Sequence, residues 1–230
     1  MGVKVACCWD DGVFNDIRLT NLLRQYGAKA TFNLCPGLMA EEREPARWTE
    51  IGENYGYQGY LVGRVGLREV REVYAGFQVA SHCWRHECIR NSPDTFLAEA
   101  IHARRWLEDT FERPCLGFAW PNGAASPEFA AQLREAGFAY GRTTVNTDAV
   151  TQCADPLRLN PTCRFLASDF YQRYQAAKAG DGVFYFWGHA YEMMDCDGLW
   201  NQFENRLKYI AADPDAEWVD VIDLVPLLHA

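Results

Sequence analysis

At 230 residues the chain fits one large domain better than two, taking roughly 150 residues per domain as the prior. With 49% hydrophobic and 23% charged residues it can fill a sizeable core, which excludes a disordered chain. The net charge of -9, without any Lys/Arg cluster, argues against nucleic acid or an anionic membrane as partner.

Val3 to Trp9 reads as a strand. Asp16 to Tyr26 carries Leu19, Leu22, Leu23 and Tyr26 at helical spacing before Gly27, the expected C-terminal glycine, and Ala28 to Leu34 reads as a second strand. The stretch Pro36 to Gly66 breaks this rhythm. It holds six glycines, two prolines, three tyrosines and five glutamates, too long for a usual βα loop, so it is an insertion: a surface excursion, a lid or an interface that Tyr55, Tyr57 and Tyr60 would suit.

Leu67 to Tyr74 then reads as a helix, Phe77 to Ser81 as a strand, and Pro93 to Phe111 as a long helix with Ser92 as N-cap. Cys115 to Trp120 follows as a strand, Ser126 to Gly137 as a helix, Phe138 to Thr144 as a strand, Leu157 to Phe165 as a weaker one, and Asp169 to Lys178 as a helix. Val183 to Gly188, Leu199 to Ala211 and Trp218 to Leu224 complete the series as strand, helix and strand. Strand-helix alternation of this kind predicts a mostly parallel sheet, closed or nearly closed, with the chemistry at the C-terminal strand ends.

Those ends hold the polar residues. Asp10-Asp11-Gly12 places adjacent carboxylates where a cation or proton must offset their repulsion, which suits a metal ligand beside a general base, although Asp-Asp-Gly is also ordinary turn chemistry. His82 and His86, four apart, would share one face of a helical turn and, with Asp11, form a site of one carboxylate and two imidazoles for Zn²⁺ or a similar divalent ion. His189 ends an apolar strand, as either a buried structural histidine or a proton donor opposite the metal. His102 and His229 read as surface residues. Trp9, Trp84, Trp120 and Trp187 recur beside these positions, where a sugar-stacking pocket and core packing explain them equally.

Nine cysteines, an odd number, with no CxxC pair and no export signal, predict reduced, mostly buried thiols and a cytoplasmic protein without a membrane span.

Taken in order, these motifs resemble those of the NodB-like polysaccharide deacetylases, carbohydrate esterase family 4. Trp9-Asp10-Asp11-Gly12 is similar to the first motif, Ala28-Lys29-Ala30-Thr31-Phe32 to the strand after it, and Val79-Ala80-Ser81-His82 to His86 to the histidine motif. Ala119-Trp120-Pro121-Asn122-Gly123 is similar to the third motif and Trp187-Gly188-His189 to the last.

The resemblance implies a single α/β domain, a distorted (β/α)7-type barrel, with Asp11, His82 and His86 on the metal, Asp10 as general base and His189 as general acid. It also implies an oxyanion contact from the Asn122 N–H, and substrate contacts from Trp120, Pro121, Asn122 and Trp187. The expected activity is metal-dependent removal of acetyl groups from an N- or O-acetylated mono- or oligosaccharide. Hydrolysis of a small non-sugar amide or cyclic imide, and a catalytically silent carbohydrate-binding homologue, are the alternatives. A homo-oligomer is compatible with all three.

Two positions depart from the family pattern, and two segments point to a branch of it. Ala119 stands where an arginine often orients the base, so that support is missing or comes from elsewhere, with Arg142 and Arg158 as candidates. Cys83 stands where serine or threonine often follows the first histidine. The segments Arg158 to Cys163 and His189-Ala190-Tyr191-Glu192 look like a less studied branch of the family.

Overall fold

The computed structural model describes residues 2–50 and 56–229, so Tyr55 lies outside the described residues. Its strands are β1 (Val3–Asp10), β2 (Thr31–Leu34), β3 (Arg47–Trp48), β4 (Tyr60–Leu61), β5 (Gln78–Ser81), β6 (Gly117–Ala119), β7 (Tyr140–Arg142), β8 (Cys163–Arg164), β9 (Val183–Gly188) and β10 (Ala216–Trp218). The helices are α1 (Asp16–Gln25), α2 (Val70–Val73), α3 (Pro93–Phe111), α4 (Pro127–Glu135), α5 (Phe170–Ala179) and α6 (Asp197–Ala211).

The near-continuous apolar run of β1 suits the centre of a parallel sheet covered on both faces, and seven of its eight residues are buried. Along one edge β1 pairs with β9 from Lys4↔Val183 to Trp9↔Gly188. Its other edge is shared, with β10 at its start and β2 at its end. The order is β7-β6-β5-β2-β1-β9-β8, and every pairing in this sheet is parallel.

Because side chains alternate along a strand, Val5, Cys7 and Trp9 pack beneath the helices, whereas Ala6 and Cys8 join Tyr140, Leu159, Tyr185 and Trp187 in a separate inner cluster. Asp10 continues the inward set. Trp9 packs edge-on against Phe165 and Phe203, and this removes it from any substrate pocket.

The curled sheet is joined across its open side by the predicted strand Leu157 to Phe165, which forms in pieces. A 3₁₀ turn covers Pro156–Arg158, Leu159 then exchanges bonds with β7 (Leu159 N to Gly141 O, Thr143 N to Leu159 O), and three residues later Thr162 N reaches Tyr185 O of β9. Pro161, lacking an N–H, stands between the two pairings. The result is a single-domain distorted (β/α) barrel, as expected.

Other boundaries hold with local corrections. Gly27 sits at φ +60° and ends α1, with Ala28 N bonded to Leu23 O. Helix α3 begins at Pro93 and buries Phe96, Ala100, Ala103 and Leu107, but the Ser92 side chain makes no capping bond. The helix predicted from Leu67 shrinks to Val70–Val73. The strand predicted over Trp218 to Leu224 stops at Trp218. A capping box between Asp220 and Asp223 turns the next residues into a 3₁₀ run over Val221–Leu227, overriding the β-branched composition.

The insertion carries the antiparallel β3–β4 pair and docks beside the first turn. Tyr60 is buried and donates to Asp195 Oδ1 at 2.8 Å, Val65 N reaches Gly12 O, and Arg64 donates to the backbone carbonyl of Asp11. All nine cysteines are free, and seven of them are buried. No helix among the described residues is long and apolar enough to cross a membrane.

Candidate active site

Strand β1 ends on Asp10, and the chain then turns sharply through Asp11 at φ +81° and Gly12 at φ +69°. The φ of Gly12 is one that L side chains rarely adopt, which is why the turn favours glycine there. The two carboxylates consequently part. Asp10 stays buried under the strand ends, while the Asp11 side chain reaches the cavity above.

Asp10 is held from two strands. Asn33 Nδ2 on β2 donates to Oδ1 at 2.7 Å, and the Arg142 guanidinium at the end of β7 donates to Oδ2. Burial alone would raise the Asp10 pKa, but Arg142, then His82 and His189, and the Asn33 bond outweigh it and hold the carboxyl well below the usual range. Of the two candidate arginines, Arg142 is the one in contact with Asp10. Arg158 instead pairs with Asp155.

His82 and His86 do not share a helical turn as the spacing predicted. They lie on an irregular loop in which Cys83 and His86 both adopt positive φ, at +63° and +60°, and this folds the rings to 4.7 Å between centroids. His82 Nδ1 lies 2.8 Å from the Ala119 carbonyl, which can only accept, so Nδ1 carries the proton and Nε2 presents a lone pair. Burial pushes the His82 pKa down to about 4, keeping the ring neutral. Its Nε2 is 3.6 Å from Asp11 Oδ1, and His86 Nε2 is 3.9 Å from the same oxygen.

Ligand atoms around a tetrahedral ion with bonds of about 2.0–2.2 Å lie roughly 3.3–3.6 Å apart, close to the two distances from Asp11 to the histidines. Cys35 was not foreseen here. With Asp11 and His82 it forms a trio whose ligand atoms all lie within 4.8 Å. However, its thiol donates to the His82 carbonyl at 3.1 Å, and burial raises its pKa well above the ordinary value, both of which oppose a thiolate ligand.

His189 follows β9, the strand paired with β1, and so lies beside Asp10. Its Nε2 is 3.7 Å from Asp10 Oδ2 and 4.0 Å from Asp11 Oδ2, while Nδ1 is 2.7 Å from Glu192 Oε1. Burial works against protonation, but Glu192, Asp10 and Asp11 outweigh it and raise the pKa. Glu192 is itself buried and bonded to Arg164. Its place three residues after His189, on the 3₁₀ turn Ala190–Met193, is a helical spacing that could have flagged it.

Asp10, Asp11, His82, His86 and His189 converge on one cavity of about 350 Å³, whose walls include Trp120, Asn122, Arg142, Trp187 and Tyr191. Asn122 adopts φ +56° within the turn after β6. Pro121 is buried and does not line the cavity, and Trp84 stacks on the exposed His102 instead. Two guanidinium groups pack over the Trp187 ring, Arg142 at 4.7 Å and Arg164 at 5.7 Å from its centre.

The family model described as polysaccharide deacetylase matches residues 2–141, more than half of the chain. The chain belongs to the polysaccharide deacetylase family. The match contains Asp10, Asp11, His82 and His86, and ends one residue before Arg142.

Among solved structures, the chain resembles the Xyl-CE4 domain of a multidomain xylanase from the hindgut metagenome of Trinervitermes trinervoides. Identity is 16%, the TM-score 0.57, and 98% of this chain and 91% of that one are covered. A family 4 acetyl xylan esterase from Clostridium thermocellum, in complex with a cobalt ion, gives 17%, 0.54, 97% and 91%. For the Streptococcus pyogenes deacetylase PplD in complex with acetate the values are 22%, 0.51, 66% and 61%, so the match spans about three-fifths of PplD. At these identities the likeness is one of fold. No curated protein matches the chain.

Proposed function

We propose that this polysaccharide deacetylase family member is a metal-dependent hydrolase that removes acetyl groups from an N- or O-acetylated sugar. The observation that carries this is the juxtaposition of two differently biased groups in one cavity: Asp10, kept ionised by Arg142, and His189, drawn toward its protonated form beside Glu192.

Asp11, His82 and His86 would hold the divalent ion, and their oxygen and nitrogen donors suit zinc. When bound, that ion supplies an acidified water and polarises the acetyl carbonyl. Asp10 Oδ2 accepts the proton of the attacking water. Arg142 and Asn33 fix the carboxylate, so no reorganisation is needed at that moment. The backbone N–H of Asn122 would, by the family resemblance, meet the developing oxyanion, and His189 Nε2 would donate to the departing oxygen or nitrogen while Glu192 holds Nδ1. Trp187 borders the cavity, whereas Trp120 is fully buried against Phe96 and offers no face to a sugar.

With Arg142 on Asp10, the alanine at position 119 no longer favours a silent binding protein. Acetate release from acetylated sugars, assayed beside cyclic imides and ureides with the metal-loaded protein, tests the substrate class. Turnover of sugar acetates alone supports it, and turnover confined to the imides overturns it.

A further inference from the structure

We propose that Tyr191 is a further catalytic residue, whose phenol O–H donates to the oxygen of the scissile acetyl group as negative charge develops there; this rests on the deacetylase reading above. Tyr191 belongs to the 3₁₀ turn Ala190–Met193 that follows His189. Ala190, Glu192 and Met193 are buried, which leaves Tyr191 as the one residue of the turn that lines the catalytic cavity. Its ring is fixed on two sides. It stacks on the His189 imidazole with centroids 4.8 Å apart and planes 31° from parallel, and Tyr57 of the insertion meets it edge-on at 5.4 Å. Tyr57 is in turn tied by paired backbone bonds to Tyr60, whose hydroxyl reaches Asp195. A ring held in this way has little rotamer freedom left to lose when a ligand arrives.

The hydroxyl is the part of the residue that this packing does not use. Arg142 is engaged with Asp10, and His82 Nδ1 with the Ala119 carbonyl, whereas Tyr191 Oη makes no hydrogen bond with any described residue. Burial, and then the negative charges of Asp11, Glu192 and Asp10, push its pKa well above the ordinary phenol value, so the group keeps its proton. An oxyanion forming beside the Asp10 and Asp11 carboxylates is repelled by both and needs donors aimed at it. A protonated phenol on a fixed ring is such a donor, and it needs no reorganisation at the moment of reaction. The bond strengthens as the carbonyl oxygen gains charge. The proton stays on Tyr191 throughout, and His189 still supplies the one that the leaving group takes.

The test compares metal-loaded Tyr191→Phe and Tyr191→Ala with the wild-type protein on N-acetylglucosamine oligomers and acetylated xylo-oligosaccharides. Calorimetry adds the affinity for methylphosphonate, a tetrahedral mimic of the acetyl group under attack. Tyr191→Phe removes the hydroxyl alone and leaves a ring on His189. We expect its kcat to fall about a hundredfold with KM little changed, and methylphosphonate to bind about tenfold more weakly or worse. A loss confined to KM, or wild-type kcat in Tyr191→Phe with the loss seen only in Tyr191→Ala, overturns the donor. Equal methylphosphonate affinity in Tyr191→Phe and the wild type overturns it as well. If no sugar releases acetate, the deacetylase reading fails, and the methylphosphonate affinities still decide whether Tyr191 donates.

Discussion

Arg142 and Asp10 lie 132 residues apart in the chain and meet as a buried ion pair at the ends of β7 and β1, with side chains 1% and 3% exposed. Removing one member of such a pair strands the other charge, at a cost of about 3–5 kcal/mol. Arg142→Met should therefore lower the melting temperature and let the Asp10 pKa rise. Acetate release at neutral pH should fall about a hundredfold, and thermal denaturation alongside the assay checks both effects. Unchanged activity would show that Asp10 does not depend on Arg142 for its role.

Glu192 acts through His189 rather than on the substrate. Glu192→Gln keeps a hydrogen-bond acceptor at Nδ1 but removes the charge that favours a protonated ring. The kcat should fall about 10- to 100-fold with KM little changed, because the lost interaction matters when the leaving group takes the proton. A change confined to KM would contradict this.

Metal content separates the two donor sets around Asp11. Purified protein should carry about one divalent ion per chain, lost in Asp11→Ala and His82→Ala and strongly weakened in His86→Ala. Cys35→Ala should retain it, since that thiol is committed to the His82 carbonyl. Elemental analysis reads all four variants, and metal kept in His86→Ala but lost in Cys35→Ala would reverse the assignment.

Much of this site was legible because it lies in short runs at strand ends. Asp10-Asp11-Gly12, His82 to His86 and His189 could each be read locally, and alternation along β1 places Asp10 with Cys8 on the inner face. Arg142 could only be one of two candidates, because its contact with Asp10 depends on how the sheet curls between distant strands. Cys35 and His82 meet through the β2–β5 register, Leu34↔Ser81, which one sequence does not reveal. The helical-turn expectation for His82 and His86 failed because Cys83 and His86 take left-handed backbone conformations. Trp9 failed as a pocket residue because a strand residue next to an inward aspartate must point outward.

Asp16 gives the fold a pH dependence of its own. It is buried, with Tyr74 Oη donating to it at 2.8 Å, and burial outweighs that bond to push its pKa up to about 8. The unfolded value is about 3.9. Between the two the folded state holds a proton that the unfolded state lacks, so stability is greatest at low pH and falls by up to ~1.4 kcal/mol per unit as pH rises through this window. Asp16→Asn should flatten the slope, as urea unfolding at pH 5, 6, 7 and 8 would show. An unaltered slope would mean that Asp16 is ionised in the folded protein.

The most direct test of the account is acetate release by metal-loaded Asp10→Asn beside the wild-type protein. We expect full metal occupancy in both and a drop in turnover of about 10²–10⁴-fold in the variant, because the proton acceptor alone is gone. Wild-type turnover in Asp10→Asn, or loss of its metal, would contradict the assignment of Asp10 as the base and Asp11 as the ligand.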